Sequence, residues 1–273
     1  MYENNAPVRV LQDLSAASLT RAIEESLAAF PLILARLPGA EIYNTPDLLW
    51  VSTGVPIDSF NGVFRSILDP LRADTQIEEI MQEFRRRRLP MLWQLGPSSQ
   101  PLDLRQRLLA HGFTHEEDEP GMAVDLLAMN DEFPTPPGLN IRLVDTMSTL
   151  HTWVAVWGFG VPGDTIPLFQ DVYAQLGLGP HLPCHYYLGT FQGKPIATAL
   201  LVFGADVAAL YSVVTLPEAR SKGIGTAMTL AALREARRAG YRVAILTASP
   251  YGVRIYRRVG FREYCTISRY RKI

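Results

Sequence analysis

Between Leu210 and Ala227 the chain reads LYSVVTLPEARSKGIGTA. An apolar strand pattern runs into Pro217-Glu218, then into a loop rich in glycine and basic residues, then without a gap into a helical pattern. This is the composition of an anion site. A loop that opens a helix presents backbone N–H groups without internal acceptors, and the helix dipole adds a positive end. Gly223 and Gly225 leave room for phosphate beside the backbone, and Arg220 and Lys222 add positive charge. Two common nucleotide loops are excluded. Gly-Lys-Ser/Thr, required by a P-loop, occurs nowhere, and the third glycine of a dinucleotide fingerprint is replaced by Met228. A complete G-x-G-x-x-G string does run from Gly158 to Gly163, but it follows a helical pattern and contains Pro162. It reads as an interhelical loop.

A second landmark lies downstream. After another apolar strand pattern, Tyr256-Arg-Arg-Val-Gly260-Phe261 puts a tyrosine on a short helix ahead of Gly-Phe. With the two landmarks in this order, the sequence resembles the GNAT superfamily of acetyl-CoA-dependent N-acetyltransferases. The resemblance is strong over residues 140–273 and weak before them. Arg220-Ser-Lys-Gly223-Ile-Gly225 satisfies the family's pyrophosphate motif, Q/R-x-x-G-x-G/A.

The resemblance implies acetyl-CoA as cosubstrate, CoA as product, and a small-molecule amine as acceptor. It implies that the pyrophosphate rests on the amides of Arg220, Ser221, Lys222, Gly223, Ile224, Gly225 and Thr226. Pantetheine then lies in a wedge beside Val213, Val214 and Thr215, where one N–H near Val213 polarises the thioester carbonyl. Tyr256 matches the tyrosine that protonates the departing thiolate. A phenol suits that task because its reference pKa, about 10, keeps it protonated at neutral pH. The alternative reading of Tyr256 is a ring packed on the core. Ser249 stands where the family often has a pantetheine-contacting Asn, and it also suits a helix N-cap. The glutamate that some members carry eleven residues before the motif is absent; Ala209 occupies the place. His185, His151, Tyr211 and Glu218 are the remaining candidates for a base.

The elements that must hold these groups are legible from periodicity and punctuation. In the second half, strands are expected at 140–144, 186–191, 195–203, 207–215, 241–247 and 261–270. Helices are expected at 146–157, 165–176 and 223–239, and from the Ser249-Pro250 cap to 259. Gln192-Gly193 reads as a hairpin turn. The first half repeats the plan more faintly. Strands are expected at 7–11, 47–53, 60–67, 91–95 and 122–127, and helices at 19–37, 75–88 and 102–111. LRQRLLAHGF (Leu104 to Phe113) and VRIYRRVGF (Val253 to Phe261) share a short basic helix followed by Gly-Phe. The expected fold is α/β (α+β), with two GNAT-like domains, each a mixed, mostly antiparallel sheet flanked by helices. A first domain over 1–130 and an acetyl-CoA-binding domain over 140–273 flank a Pro-rich linker at 131–139. Where the first domain's phosphate loop should fall stands LDPLRADT, with no glycine and two aspartates, so that domain is expected not to bind CoA. Its expected use is to complete the acceptor cleft or to stabilise a homodimer.

Composition sets outer bounds. The 273 residues are 48% hydrophobic and 19% charged, enough for packed cores and unlike a disordered chain. No apolar run approaches a membrane span and no secretory signal opens the chain, so a cytoplasmic protein without membrane partners is expected. Two cysteines, Cys184 and Cys265, are too few for a disulfide framework or a zinc site, and no metal is expected. Residues 1–139 carry 11 basic and 20 acidic side chains, against 15 and 7 in residues 140–273. That split suits an anionic ligand in the second half, or simply basic surface helices. Arg85–Arg88 end a helical pattern, where the dipole favours cations, and nucleic acid is not an expected partner. A catalytically silent acyl-CoA sensor is the rival to an enzyme.

Overall fold

The computed structural model describes residues 10–273. Its first half runs α1 (Ala16–Leu34), β1 (Glu41–Asn44), β2 (Leu48–Ser52), β3 (Asn61–Ser66), α2 (Ala73–Arg86), β4 (Met91–Leu95), α3 (Leu104–Ala110) and β5 (Thr114–Asp125). The second runs β6 (Leu139–Leu143), α4 (Met147–Trp157), α5 (Ile166–Leu176), β7 (Cys184–Phe191), β8 (Lys194–Gly204), β9 (Val207–Thr215), α6 (Ile224–Arg238), β10 (Val243–Thr247), α7 (Val253–Val259) and β11 (Arg262–Lys272). No helix among the described residues is long and apolar enough to cross a membrane.

The chain forms two compact units, and they do not follow it linearly. Met122–Glu263 belong to one, with the described residues up to Ile23; Glu24–Gly121 and Tyr264–Ile273 form the other. The first contains the glycine-rich loop and is termed the motif unit; the second is the companion unit. The boundary expected at 131–139 therefore falls inside the motif unit, and the closing strand β11 groups with the first half.

In the motif unit the strands run β10-β9-β8-β7-β6. Adjacent pairs are antiparallel except β9 and β10, which are parallel and joined by α6. The β7–β8 turn has Gln192 at φ +51° and Gly193 at φ +80°, the left-handed pair that a tight hairpin needs. Thr146 caps α4 through a reciprocal box with Thr149. At the far end of α6, Tyr241 N–H reaches the Ala236 carbonyl at 3.1 Å around Gly240, whose φ is +89°. The apolar face of α6, including Met228 and Leu233, packs in a core with Leu201, Leu210 and Leu246.

The companion unit repeats the plan. β2 and β3 are antiparallel, β3 and β4 are parallel with α2 between them, and α3 follows. Its core gathers Phe84, Trp93, Leu104, Leu108, Phe113 and Tyr270. Tyr270 comes from β11, which pairs antiparallel with β4 from Ser268↔Leu95 to Lys272↔Met91.

Three elements of the first half differ from expectation. The strand expected at 7–11 lies mostly outside the described residues, and Val10 and Leu11 are not in a strand. β1 was not expected, because its four residues are all exposed and show no alternation. β5 begins eight residues before the expected start at Met122, its first part being the acidic run Glu116–Glu119 that reads poorly as strand. The partner strand explains it. Arg269 lies 3.5 Å from Glu117 and 3.0 Å from Glu119, and Arg271 lies 2.5 Å from Glu116. Opposite charges on neighbouring strands make that acidic segment a good strand in this one place.

Regrouping the residues by unit removes most of the charge split. The companion unit carries 12 basic and 15 acidic residues, and Met122–Glu263 carry 12 and 10. Arg269, Arg271 and Lys272 belong to the companion unit, and Asp125, Asp131 and Glu132 offset cations in the motif unit.

Removing Arg269 leaves the Glu119 carboxylate, 9% exposed, without its cation. Arg269→Ala should therefore cost about 3 kcal/mol in denaturant unfolding, and adding Glu119→Gln should recover much of it. In the motif unit, Arg242 grips Asp125 with two bonds of 2.7 and 2.8 Å and holds its carboxyl below the ordinary range. A carboxyl whose folded pKa is depressed stabilises above its unfolded pKa and loses that contribution as pH falls through the folded value. Asp125→Asn should flatten the acid limb of a stability–pH curve below about pH 4.

Candidate functional site

The site begins where two strands part. β9 and β10 are in parallel register at Ala208↔Ala244 and Ala209↔Ile245, and there the pairing stops. β9 continues for six further residues, to Thr215, held only from the β8 side, with Val214 opposite Thr198 and Thr215 opposite Ala197. A bulge accompanies the parting. Tyr211 faces Leu200 and Val214 faces Thr198, so Ser212 and Val213 oppose the single residue Ala199. Ser212 takes a left-handed φ of +52°. Val213, Val214 and Thr215 are half-buried along the edge that β10 has left.

β9 feeds directly into the glycine-rich loop. After a turn at Pro217–Ala219, Ser221 and Gly223 take φ values of +61° and +78°, and α6 starts at Ile224. Gly223 is needed for that backbone conformation. The first internal bond of the helix runs from Ala227 N–H to the Gly223 carbonyl at 3.0 Å, and no side chain caps the helix. Ile224, Gly225 and Thr226 therefore present their N–H groups at the helix start. The two cations are anchored beside them. Arg220 Nε donates to the Thr215 carbonyl at 3.1 Å, and Lys222 Nζ donates to the Glu218 carbonyl at 3.1 Å while lying over the Phe191 ring. A side-chain carbon on Gly225 would meet Ile255 at 3.4 Å and Thr215 at 3.6 Å. The helix start, the end of β9 and the face of α7 thus converge.

The turn after β10 brings in the other expected residues. Ser249 Oγ accepts from Gly252 N–H at 3.3 Å, so it caps a turn, and α7 begins only at Val253. This corrects the expected helix start at Ser249-Pro250. The Tyr256 ring lies over Gly252, where any Cβ would come within 2.7 Å of Cε2. Gly252 was missed in the sequence; a glycine one helical turn before an aromatic is its only signal. The Tyr256 ring also packs edge-on against Phe261 at 5.7 Å, and the residue is 8% exposed.

Of the four candidate bases, His185 pairs with Leu201 on β8, two residues from Ala199 at the bulge. It is buried against the Phe203 ring. Tyr211 lies at the bulge, Glu218 on the loop, and His151 on the exposed side of α4. The aromatic residues of the first helices are a packing unit. Trp153, Trp157, Phe169, Tyr173 and Tyr186 form a chain of edge-on and stacked contacts, and burial pushes the Tyr173 and Tyr186 phenols far up. Tyr187 is buried on the other core, and Phe159 is exposed at 56%.

The companion unit has the same strands without the opening. β3 and β4 pair at Gly62↔Leu92 and Val63↔Trp93, and the segments beyond them rejoin. Ile67 and Gln100 form a parallel bridge, Leu68 N–H donates to Gln100 O at 3.0 Å, and Gln100 N–H donates to Ser66 O at 2.9 Å. Four residues before Gly112, where the motif unit has Tyr256 before Gly260, stands the buried Leu108.

The parallel pair thus opens toward the loop and an uncapped helix start, leaving a free strand edge beside backbone N–H groups without internal acceptors. Residues 152–261 match the sequence profile of the acetyltransferase (GNAT) family, so the chain contains a GNAT domain. The fold itself is similar to solved structures over almost the whole chain. A GCN5-related N-acetyltransferase from Kribbella flavida is similar with a TM-score of 0.72 at 21% identity, over 92% of this chain and 95% of that one. A functionally unknown conserved protein from Staphylococcus epidermidis is similar at 0.65 and 12% identity, over 86% and 94%. A tandem GNAT protein from the clavulanic acid biosynthesis pathway is similar at 0.61 and 12% identity, over 93% of each chain. Comparison with curated proteins by sequence gives no match.

Calorimetry should find one acetyl-CoA per chain, because only the motif unit opens. Gly223→Glu should abolish that binding, whereas Gly223→Asn, which tolerates a left-handed φ, should retain part of it.

Proposed function

We propose that the protein is an N-acetyltransferase that carries an acetyl group from acetyl-CoA to the amine of a small-molecule acceptor, by direct transfer in a ternary complex. The observation that supports this most is the parting of β9 from β10 immediately before an uncapped helix start. Residues 220–226 fit a pyrophosphate in charge and in backbone shape, and the free edge of Val213–Thr215 fits an extended, amide-bearing arm. Acetyl-CoA brings an activated thioester to that place.

The chain's own groups have three tasks in this reading. The loop amides, with Arg220 and Lys222, hold the phosphates and fix the depth of the arm. The backbone N–H near Val213 faces the thioester carbonyl and favours charge on its oxygen. Tyr256 holds a proton for the sulfur that leaves. The amine nitrogen forms the new C–N bond as the C–S bond breaks; the sulfur takes the phenolic proton of Tyr256, and the proton that the amine loses passes through water to restore that phenol. Ser249 shapes the turn under Tyr256.

The second reading is a silent acyl-CoA-binding protein. Ala209 in place of a glutamate and the packed ring of Tyr256 favour it.

Tyr256→Phe separates the two. It should lower kcat about a hundredfold while leaving acetyl-CoA affinity within about twofold, as expected for a general acid. Initial-rate lines for the two substrates should converge. Parallel lines would indicate an acetyl-enzyme, and thermal stabilisation by acetyl-CoA without thiol release across an amine library would favour the sensor.

A further inference from the structure

We infer that Thr198 is a positioning residue for acyl transfer: its hydroxyl latches the β9 bulge that presents Val213–Thr215. The latch rests on the acetyl-CoA reading of this site. It is needed because of a conformation that the chain should avoid. Ser212 has a Cβ and stands at φ +52°, a region that L residues other than glycine, Asn and Asp seldom enter. Something must hold it there.

Two side-chain donors do so, one from each side of the irregularity. Thr198, fully buried on β8, donates from Oγ1 to the Ser212 carbonyl at 2.8 Å. Trp153, fully buried on α4, donates from Nε1 to the carbonyl of Ala199, the residue that the β8–β9 register skips, at 3.2 Å. A bulge takes carbonyls out of the ladder, and a buried carbonyl without a donor is costly. Here both find donors, so the bulged arrangement is satisfied where a regular ladder would leave the threonine hydroxyl and the indole without these partners.

The bulge matters to function because the residues next to it are those of the free edge. Val213 is adjacent to Ser212 and Thr215 only two residues further on, and Thr215 O anchors Arg220. A slip of one residue in β9 would turn each side chain to the other face and move the N–H groups that line the free edge. Thr198 is buried away from solvent and acts only through this backbone. Its loss should therefore harm the arm of the ligand more than the phosphates.

The test compares acetyl-CoA with adenosine 3′,5′-bisphosphate, a fragment that lacks the pantetheine arm, on the full-length protein. Thr198→Val keeps the shape and removes the donor. It should weaken acetyl-CoA binding and lower kcat about tenfold each, the effect of one buried hydrogen bond, with fragment affinity unchanged within about twofold. Thr198→Ser should restore both. Trp153→Phe, which removes the opposite donor, should show the same split and carries the test if Thr198→Val does not fold. Equal losses for both ligands, no loss, or a serine variant as impaired as the valine variant would overturn the latch. Wild-type protein that binds neither ligand would overturn the functional reading, and the latch with it.

Discussion

The rest of the site depends on one constraint: a parallel strand pair that holds for two residues and then must not hold. Parallel strands joined by a helix ordinarily stay paired along their length, because each lost backbone bond leaves polar groups to be satisfied elsewhere. β9 resolves this by keeping its β8 side and bulging at Ser212, so that its other edge becomes a surface. The loop at 220–226 then starts from a fixed place, tied back through Arg220 to Thr215. Remove the opening and the loop would keep its helix start and its two cations, but it would have no free strand edge beside it. The companion unit shows the closed alternative in the same chain, with Ser66, Leu68 and Gln100 bonded across the gap.

What the sequence makes legible divides along physical lines. The glycine-rich loop, the hairpin at Gln192-Gly193 and the Gly-Phe endings of α3 and α7 are local, set by backbone angles that few residues tolerate, and the structure places each where its residues predict. The helices are legible too, because their apolar spacing is set by one turn of backbone. Long-range features are not visible in this way. The bulge at Ser212 has no glycine to announce it, since its stabilising donors lie fourteen residues away on β8 and on a separate helix. The acidic start of β5 reads as loop because its strand character comes from Arg269 and Arg271, about 150 residues on.

Charge tells a related story. The opposite balances of the two halves of the sequence suggest a basic domain prepared for an anion. Regrouped by unit, the balances nearly vanish, and the cations left at the site are the two that the loop itself supplies. In the proposed reading, an anion would be held by backbone N–H groups with Arg220 and Lys222 beside them, with little help from a broad positive field.

The placement of β11 bears on how the polypeptide is made. Tyr264–Ile273 complete a unit whose other residues end at Gly121, so more than a hundred residues of the motif unit are interposed in its sequence. Domains usually fold in the order of synthesis. Here that order is inverted: the first half leaves the ribosome early but must wait, its core lacking Tyr270, until β11 is released. The unit without the anion loop is thus the one whose folding reports that translation has passed β11.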